Sequence, residues 1–332
     1  MQRVKEKAIE LLQNGTVDRV LGWRAGEFFY DLTPGCFTSV EEVERDFVYS
    51  VFSGANLSKY LIAESRKGGK VGVFLKPCDS YSFVQLLKEH RILRENVYAV
   101  GVQCDGMCDM EKIKEAGLAG VTAVEEDGEN LKVSTIYGNE PIAKDAALLG
   151  KCASCKSKKI VTCDEMLGEQ GEEIAYGRME GVRRLEAMTP DERFRFWQGE
   201  LSRCIRCNAC RNVCPACSCE KCVFDNPASG VENKAAANSF EENLFHIIRA
   251  FHVASRCTDC GECSRVCPQH IPLHLLNRKF IKDINELYGE YQAGADFDSR
   301  PPLMNFTKDD CEPSVVYERG GANGRKNSHF LP

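Results

Sequence analysis

Eight of the 19 cysteines in this chain stand in two runs of identical spacing. Cys204, Cys207, Cys210 and Cys214 are followed directly by Pro215, and Cys257, Cys260, Cys263 and Cys267 by Pro268. Thiolates spaced C-x2-C-x2-C-x3-C-P hold a pair of 4Fe-4S clusters. Two-residue gaps turn three sulfurs toward one centre, while the fourth points away and ligates the other cluster. One cluster is therefore expected on Cys204, Cys207, Cys210 and Cys267, and the second on Cys257, Cys260, Cys263 and Cys214. Zinc sites and disulfides are the competing readings. Zinc takes four ligands per site but asks for no trailing Cys-Pro. Two such runs point to one-electron transfer, which needs no acid, base or nucleophile, and no residue is assigned a catalytic role.

A looser group lies in the first half of the chain. Cys78 follows an apolar run in Lys76-Pro-Cys-Asp-Ser80, and Cys104 follows another in Gly101-Val-Gln-Cys104. Cys152 and Cys155 form a C-x2-C pair. Together these four could supply the thiolates of a third 4Fe-4S cluster, with Cys108 competing for the place of Cys104. The alternative is that Cys78 and Cys104 are buried apolar cysteines and the pair is a zinc or redox motif. Cys217, Cys219 and Cys222 follow the first run with no spacing that assigns them, and Cys36, Cys163 and Cys311 stand alone.

The elements that must position these thiols are legible in outline. Val4, Ala8, Leu11 and Leu12 share a helical face, and 17–23 reads as a strand. Residues 70–75 and 97–102 are short apolar runs of the buried-strand type, with helical patterns at 56–63, 83–90 and 110–116. Alternating strands and helices predict an α/β N-terminal domain with a mostly parallel sheet. The carboxyl ends of such strands, where Cys78 and Cys104 fall, are where open sheets hold ligands. Thr189, Pro190 and Glu192 form a helix start that leads into the first cysteine run. Ser239 and Glu242 open another helix, on which Phe240, Leu244, Ile248 and Phe251 recur at helical spacing and which leads into the second. Residues 280–287 read as helical too. The C-terminal half is thus expected to be a helical two-cluster ferredoxin-like domain. The boundaries fall at 1–170 for the α/β domain, 171–288 for the dicluster domain and 289–332 for an irregular tail that could wrap a partner.

Bulk properties narrow the setting. A chain of 332 residues is long enough for two domains. Cysteines clustered at metal spacing suit a reducing, anaerobic cytoplasm better than a secreted disulfide scaffold. The first residues open an amphipathic helix without a signal-peptide apolar region, and no stretch reaches the roughly 20 apolar residues of a membrane span. A cytoplasmic location is expected. With net charge −6 and no long basic run, nucleic acid is not expected as a partner.

Over about residues 16–300 the chain resembles the beta subunits of the coenzyme-F-420 hydrogenase and formate dehydrogenase type. The resemblance rests on Asn56-Leu-Ser-Lys-Tyr-Leu61, Lys76-Pro-Cys-Asp-Ser80, Gly101-Val-Gln-Cys104, the Cys152/Cys155 pair and the two runs. It implies an iron–sulfur electron-transfer subunit of an oxidoreductase, relaying electrons between a catalytic subunit and a second acceptor. The implied partners belong to formate dehydrogenase, hydrogenase or heterodisulfide-reductase-like complexes. FAD is a further implied cofactor. Two alternatives are an FAD-containing subunit that reduces a deazaflavin, and a sulfite-reductase A-like or sulfhydrogenase-beta-like electron-transfer subunit. The chain departs from the deazaflavin-reducing type in carrying its dicluster module after the α/β domain. It also lacks a G-x-G-x-x-G fingerprint; only 22–26 and 53–56 offer flavin-contact segments, and both read better as ordinary turns.

The remaining polar residues are given ordinary roles. Arg203, Arg206, Arg211, Arg256 and Arg265 flank the cysteines and read as a solvated face, with docking of an acidic partner or stabilisation of reduced, more negative clusters as the sharper possibilities. None of His90, His246, His252, His270 and His274 is assigned as a ligand. Asp79 and Asp105 read as turn residues.

Overall fold

The structure, a computed structural model, describes residues 2–174, 177–220, 222–225 and 239–304. Cys311 and most of the expected irregular tail, 305–332, lie outside these residues. Strands β1 (Arg19–Ala25), β2 (Leu32–Phe37), β3 (Val71–Leu75), β4 (Val97–Val102) and β8 (Glu165–Leu167) form one sheet in the order β2-β1-β3-β4-β8. The β1–β3, β3–β4 and β4–β8 pairs are parallel, and β2 joins β1 as an antiparallel edge. All five residues of β3 are buried, as expected of a strand covered on both faces. The helix Gln2–Gln13 lays Val4, Ala8 and Leu11 on this core. The mixed α/β region with its mostly parallel sheet is therefore as the pattern predicted.

A second sheet was not anticipated. Strands β5 (Val121–Asp127), β6 (Asn130–Thr135) and β7 (Gly138–Ala143) form an antiparallel meander. Its signals were present: a turn glycine at Gly128 with φ 61° and alternate burial of Leu131 and Val133. Five of the six β7 residues are exposed, so no apolar run marked that strand.

Two helices differ from their expected form in ways that matter. The helix after β3 spans Pro77–Lys88 and begins six residues earlier than the apolar pattern indicated. Pro77 opens it, and Asp79 Oδ2 accepts the Lys76 backbone N–H at 3.2 Å. Cys78 consequently sits in a first helical turn, and Asp79, fully buried and 2.9 Å from Lys76 Nζ, is not a plain turn residue. On helix Ser239–Val253 the expected stripe is rotated. Phe240 and Phe251 are 69% and 60% exposed, while Phe245, His246, Arg249, Ala250 and Val253 face inward. Polar residues take the inner face because the cysteines, not an aliphatic core, lie beneath it.

The C-terminal region is helical. Helices Glu180–Glu186, Pro190–Leu201, Ser239–Val253 and Leu273–Tyr288 enclose two single turns, Ala209–Asn212 and Glu262–Arg265. Leu201, Ile271 and Leu273 pack directly on Cys210 and Cys263. Among the described residues, no helix is long and apolar enough to cross a membrane.

Candidate iron–sulfur centres

The two cysteine runs share one backbone conformation. Thr189 and Glu192 cap helix Pro190–Leu201 reciprocally, at 2.8 Å and 3.3 Å, and its C-terminus delivers the chain to Cys204. Arg206 (φ 54°) and Asn208 (φ 60°) then adopt left-handed conformations on either side of Cys207. In the second run Asp259 (φ 55°) and Gly261 (φ 68°) do the same on either side of Cys260. Three of these four are not glycine, and such backbone is costly unless the surroundings hold it. Each loop then enters its single helical turn, and successive N–H groups in such loops make concavities that favour anions.

The fourth cysteines cross over. Cys267 lines the same pocket as Cys204, Cys207 and Cys210. Cys214 is brought to Cys257, Cys260 and Cys263, near enough to make ionisation of each harder. Burial is the main cause, pushing Cys257 to about 12 and Cys210 to about 11. Cys214 is the exception, drawn down to about 6 chiefly by a hydrogen bond from the Cys217 thiol. Among the described residues no three His, Cys, Asp or Glu side chains converge on a point fit for a single metal ion. Thiols ranged around a multi-iron cubane stand further apart than that.

Helix Ser239–Val253 contributes two groups that sequence reading treated as packing or overlooked. His246 Nε2 lies 3.3 Å from Cys204 Sγ. Burial, with Arg249 and Arg206 nearby, lowers its pKa to about 3, so the ring is neutral. Arg249 is buried, and its guanidinium has no oxygen partner among the described residues. A buried cation among thiols fits an anionic group bound there, as a thiolate-ligated cluster is. No sequence signal marked it, since one arginine on an apolar helix resembles a surface residue.

Cys78 and Cys104 follow the carboxyl ends of β3 and β4. Cys78 occupies the first turn of helix Pro77–Lys88, and burial, with Asp79 beside it, pushes its thiol well above the ordinary range. Cys104 follows β4, and the thiols of Cys78 and Cys104 are mutually close, as are those of Cys104 and Cys152. Cys152 accepts the Met107 backbone N–H at 3.3 Å. Cys155 is turned to the Ser157 carbonyl at 3.2 Å. Cys108, the competitor, is 3% exposed and packs into the hydrophobic core, with its thiol raised to about 12 by burial. Asp105 lines a separate cleft with Cys104. Cys36 Sγ lies 3.8 Å from Glu64, and Cys163 lies beside Gly101, both away from these groups.

The second run is held by charged and polar contacts from both halves of the chain. Glu262 pairs with Lys151 and with Arg265 at 2.8 Å, and accepts the Asn56 N–H at 3.2 Å. Burial opposes its ionisation, but Lys151 and Arg265 hold its carboxyl well below the usual range. Asp259 lies 2.8 Å from Arg278 and 2.6 Å from Arg178. Arg256 reaches Glu89 at 2.8 Å. Four of the five flanking arginines are thus engaged inside the molecule and not on a solvated face: Arg256, Arg265, Arg211 with Asp225 at 2.8 Å, and Arg206 stacked 4.6 Å over Phe245. Arg203 alone pairs at the surface, with Glu200.

The two segments considered for a flavin are structural. Gly22 lies within β1, where a Cβ would stand 2.2 Å from the Phe47 ring. Ala55 accepts from Lys76 Nζ at 2.8 Å and from the Trp23 indole at 3.3 Å. Cys217, Cys219 and Cys222 line a cavity of about 400 Å³ with Lys59, Arg249 and Arg256.

Residues 200–271 match the family described as 4Fe-4S dicluster domain. The chain is 25% identical to F420-dependent formate dehydrogenase subunit beta of Methanocaldococcus jannaschii, over 90% of this chain and 92% of that protein. It is 26% identical to F420-dependent formate dehydrogenase 1 subunit beta of Methanococcus maripaludis, over 89% and 90%. A solved structure of the F420-reducing [NiFe] hydrogenase complex from Methanosarcina barkeri overlays 46% of this chain and 58% of that one, at 17% identity and a TM-score of 0.38; no argument rests on that overlay. The resemblance read from the motifs is borne out by the two curated relatives, and the iron–sulfur character of the C-terminal runs by the dicluster match.

Proposed function

We propose that this chain, a relative of the beta subunits of F420-dependent formate dehydrogenases, is an iron–sulfur electron-transfer subunit. The observation that carries the reading is the crossing of Cys214 and Cys267, which makes two four-thiol groups share a wall. Cys204, Cys207, Cys210 and Cys267 would hold one 4Fe-4S cluster, and Cys257, Cys260, Cys263 and Cys214 the second. Cys78, Cys104, Cys152 and Cys155 would hold a third at the sheet edge. When bound, such clusters supply storage and passage of single electrons. The chain's own part is to bury the thiolates, to offer N–H groups to sulfur as Met107 does to Cys152, and to exclude water.

Lys151, next to Cys152, reaches Glu262 of the second run, which supports a series of three centres. Its ends suit a relay between a catalytic subunit that oxidises formate or hydrogen and a second acceptor, with a heterodisulfide-reductase-like subunit as the candidate acceptor. The isolated chain is then expected to lack formate turnover. Anaerobic purification followed by iron, sulfide and flavin assays tests the reading. About twelve irons per chain, four for each cluster, are expected. Iron near zero after reconstitution, or formate oxidation by the pure chain, would remove it.

A further inference from the structure

Arg249 is 2% exposed, and its guanidinium has no oxygen partner among the described residues; the group that it meets is the Cys263 thiol. A buried ion left without a partner is strongly unfavourable, so its charge must be met by something the thiols bring. The groups around it come from three segments: Cys210 and Cys214 of the first run with nearby Cys217, Cys263 of the second, and His246 on its own helix. The neighbours that favour its charge most are the thiols of Cys263, Cys210, Cys214 and Cys217. On the same helix His246, three residues before it, stands 3.3 Å from Cys204 of one group, and Val253, four residues after it, packs with Cys214 and Cys257 of the other.

Cys210 belongs to one four-thiol group, and Cys214 and Cys263 to the other. We infer that Arg249 is a cation shared by the two cluster sites, which raises both reduction potentials together. It acts through the clusters and is not a catalytic residue. The physical basis is charge. A cluster held by four thiolates is negative in both oxidation states, and taking up one electron adds a further negative charge with no proton to offset it. A fixed cation in a poorly polarisable interior favours the reduced form. A cation standing between two clusters also weakens the repulsion that one reduced cluster exerts on reduction of its neighbour. His246, by contrast, lies 3.3 Å from Cys204 Sγ in the pocket lined by the first four-thiol group and would act on that cluster.

The inference rests on the two-cluster reading, and one experiment separates the two failures. The full chain is reconstituted anaerobically as wild type, Arg249→Met, Arg249→Gln, Arg249→Lys and the surface control Arg203→Met. Each is assayed for iron and titrated with dithionite and mediators under EPR. Wild-type protein without clusters would remove the underlying reading. With iron retained, the neutral variants should show at least a tenfold lower reduced-to-oxidised ratio at fixed poise for both clusters, about 59 mV for a one-electron couple. Arg249→Lys should recover most of the loss, and Arg203→Met should match wild type. Unchanged potentials, or a shift confined to one cluster, would overturn the inference. Should both neutral variants lose iron, Arg249→Lys decides. Full iron with small negative shifts in both clusters supports a charge role, and equal loss of iron assigns Arg249 to packing and overturns it.

Discussion

Lys151, the neighbour of Cys152, is ion-paired with Glu262, which stands between Cys260 and Cys263. Both side chains are almost wholly buried, and Lys151 Nζ also donates to the Gly54 carbonyl at 2.6 Å. One charged pair therefore ties the N-terminal cysteine group to the second ferredoxin-type run. Removing one partner of a buried pair costs about 3–5 kcal/mol, because the other charge is stranded. Glu262 keeps Arg265 at 2.8 Å, so Lys151→Met is expected at the lower end, about 3 kcal/mol. Urea unfolding of the reconstituted chain checks this; an unchanged midpoint would show that the pair does not couple the two halves.

The crossing of the fourth cysteines predicts a pattern of non-additivity. Cys267→Ser should remove the same cluster as Cys204→Ser, so the double variant should lose no more iron than either single one. Cys267→Ser with Cys257→Ser should lose both C-terminal clusters, about eight irons at four apiece. The opposite pattern would place Cys267 with its own run.

For the N-terminal group the burial of Cys108 separates it from Cys104. Cys104→Ser is expected to lower iron by about four atoms per chain. Cys108→Ala is expected to keep the iron and to lower stability by about 1 kcal/mol through lost packing. Iron analysis alongside thermal unfolding distinguishes them, and iron loss from Cys108→Ala alone would reverse the assignment.

Thr189 offers a control in which stability moves and the centres do not. Its side chain caps helix Pro190–Leu201 in a reciprocal arrangement with Glu192, and Thr189→Ala should cost about 1 kcal/mol. Because the cap lies a full helix away from Cys204, EPR signals of the reduced protein should be unaltered. A change in the first-run signal would mean that the helix start sets the loop's conformation.

Much of the fold followed from local pattern. Strand β4 falls on its apolar run, residue for residue, and β3 within one position. The start of helix Pro190–Leu201 was readable because a capping box is a reciprocal arrangement of two side chains three residues apart, Thr189 and Glu192. The meander β5–β7 was missed because half of its residues face water, leaving too little apolar alternation to register.

By itself, the sequence determined which thiols could act together, because cysteine spacing and trailing prolines are local constraints on a turn. It also determined the order of strands and helices, which follows from periodicity. Only tertiary structure decided what surrounds those thiols. Whether Arg249 and His246 face cysteines or solvent depends on the rotation of one helix against two loops. The loops themselves are packed by Leu201, Ile271 and Leu273 from distant segments. Likewise Arg256 became internal because Glu89 was brought to it from across the chain, and Glu262, the near neighbour of Arg265, was buried where Lys151 reaches it from a distant segment. Charge pairing and burial are properties of neighbours in space, and neighbours in space are what a linear pattern leaves open.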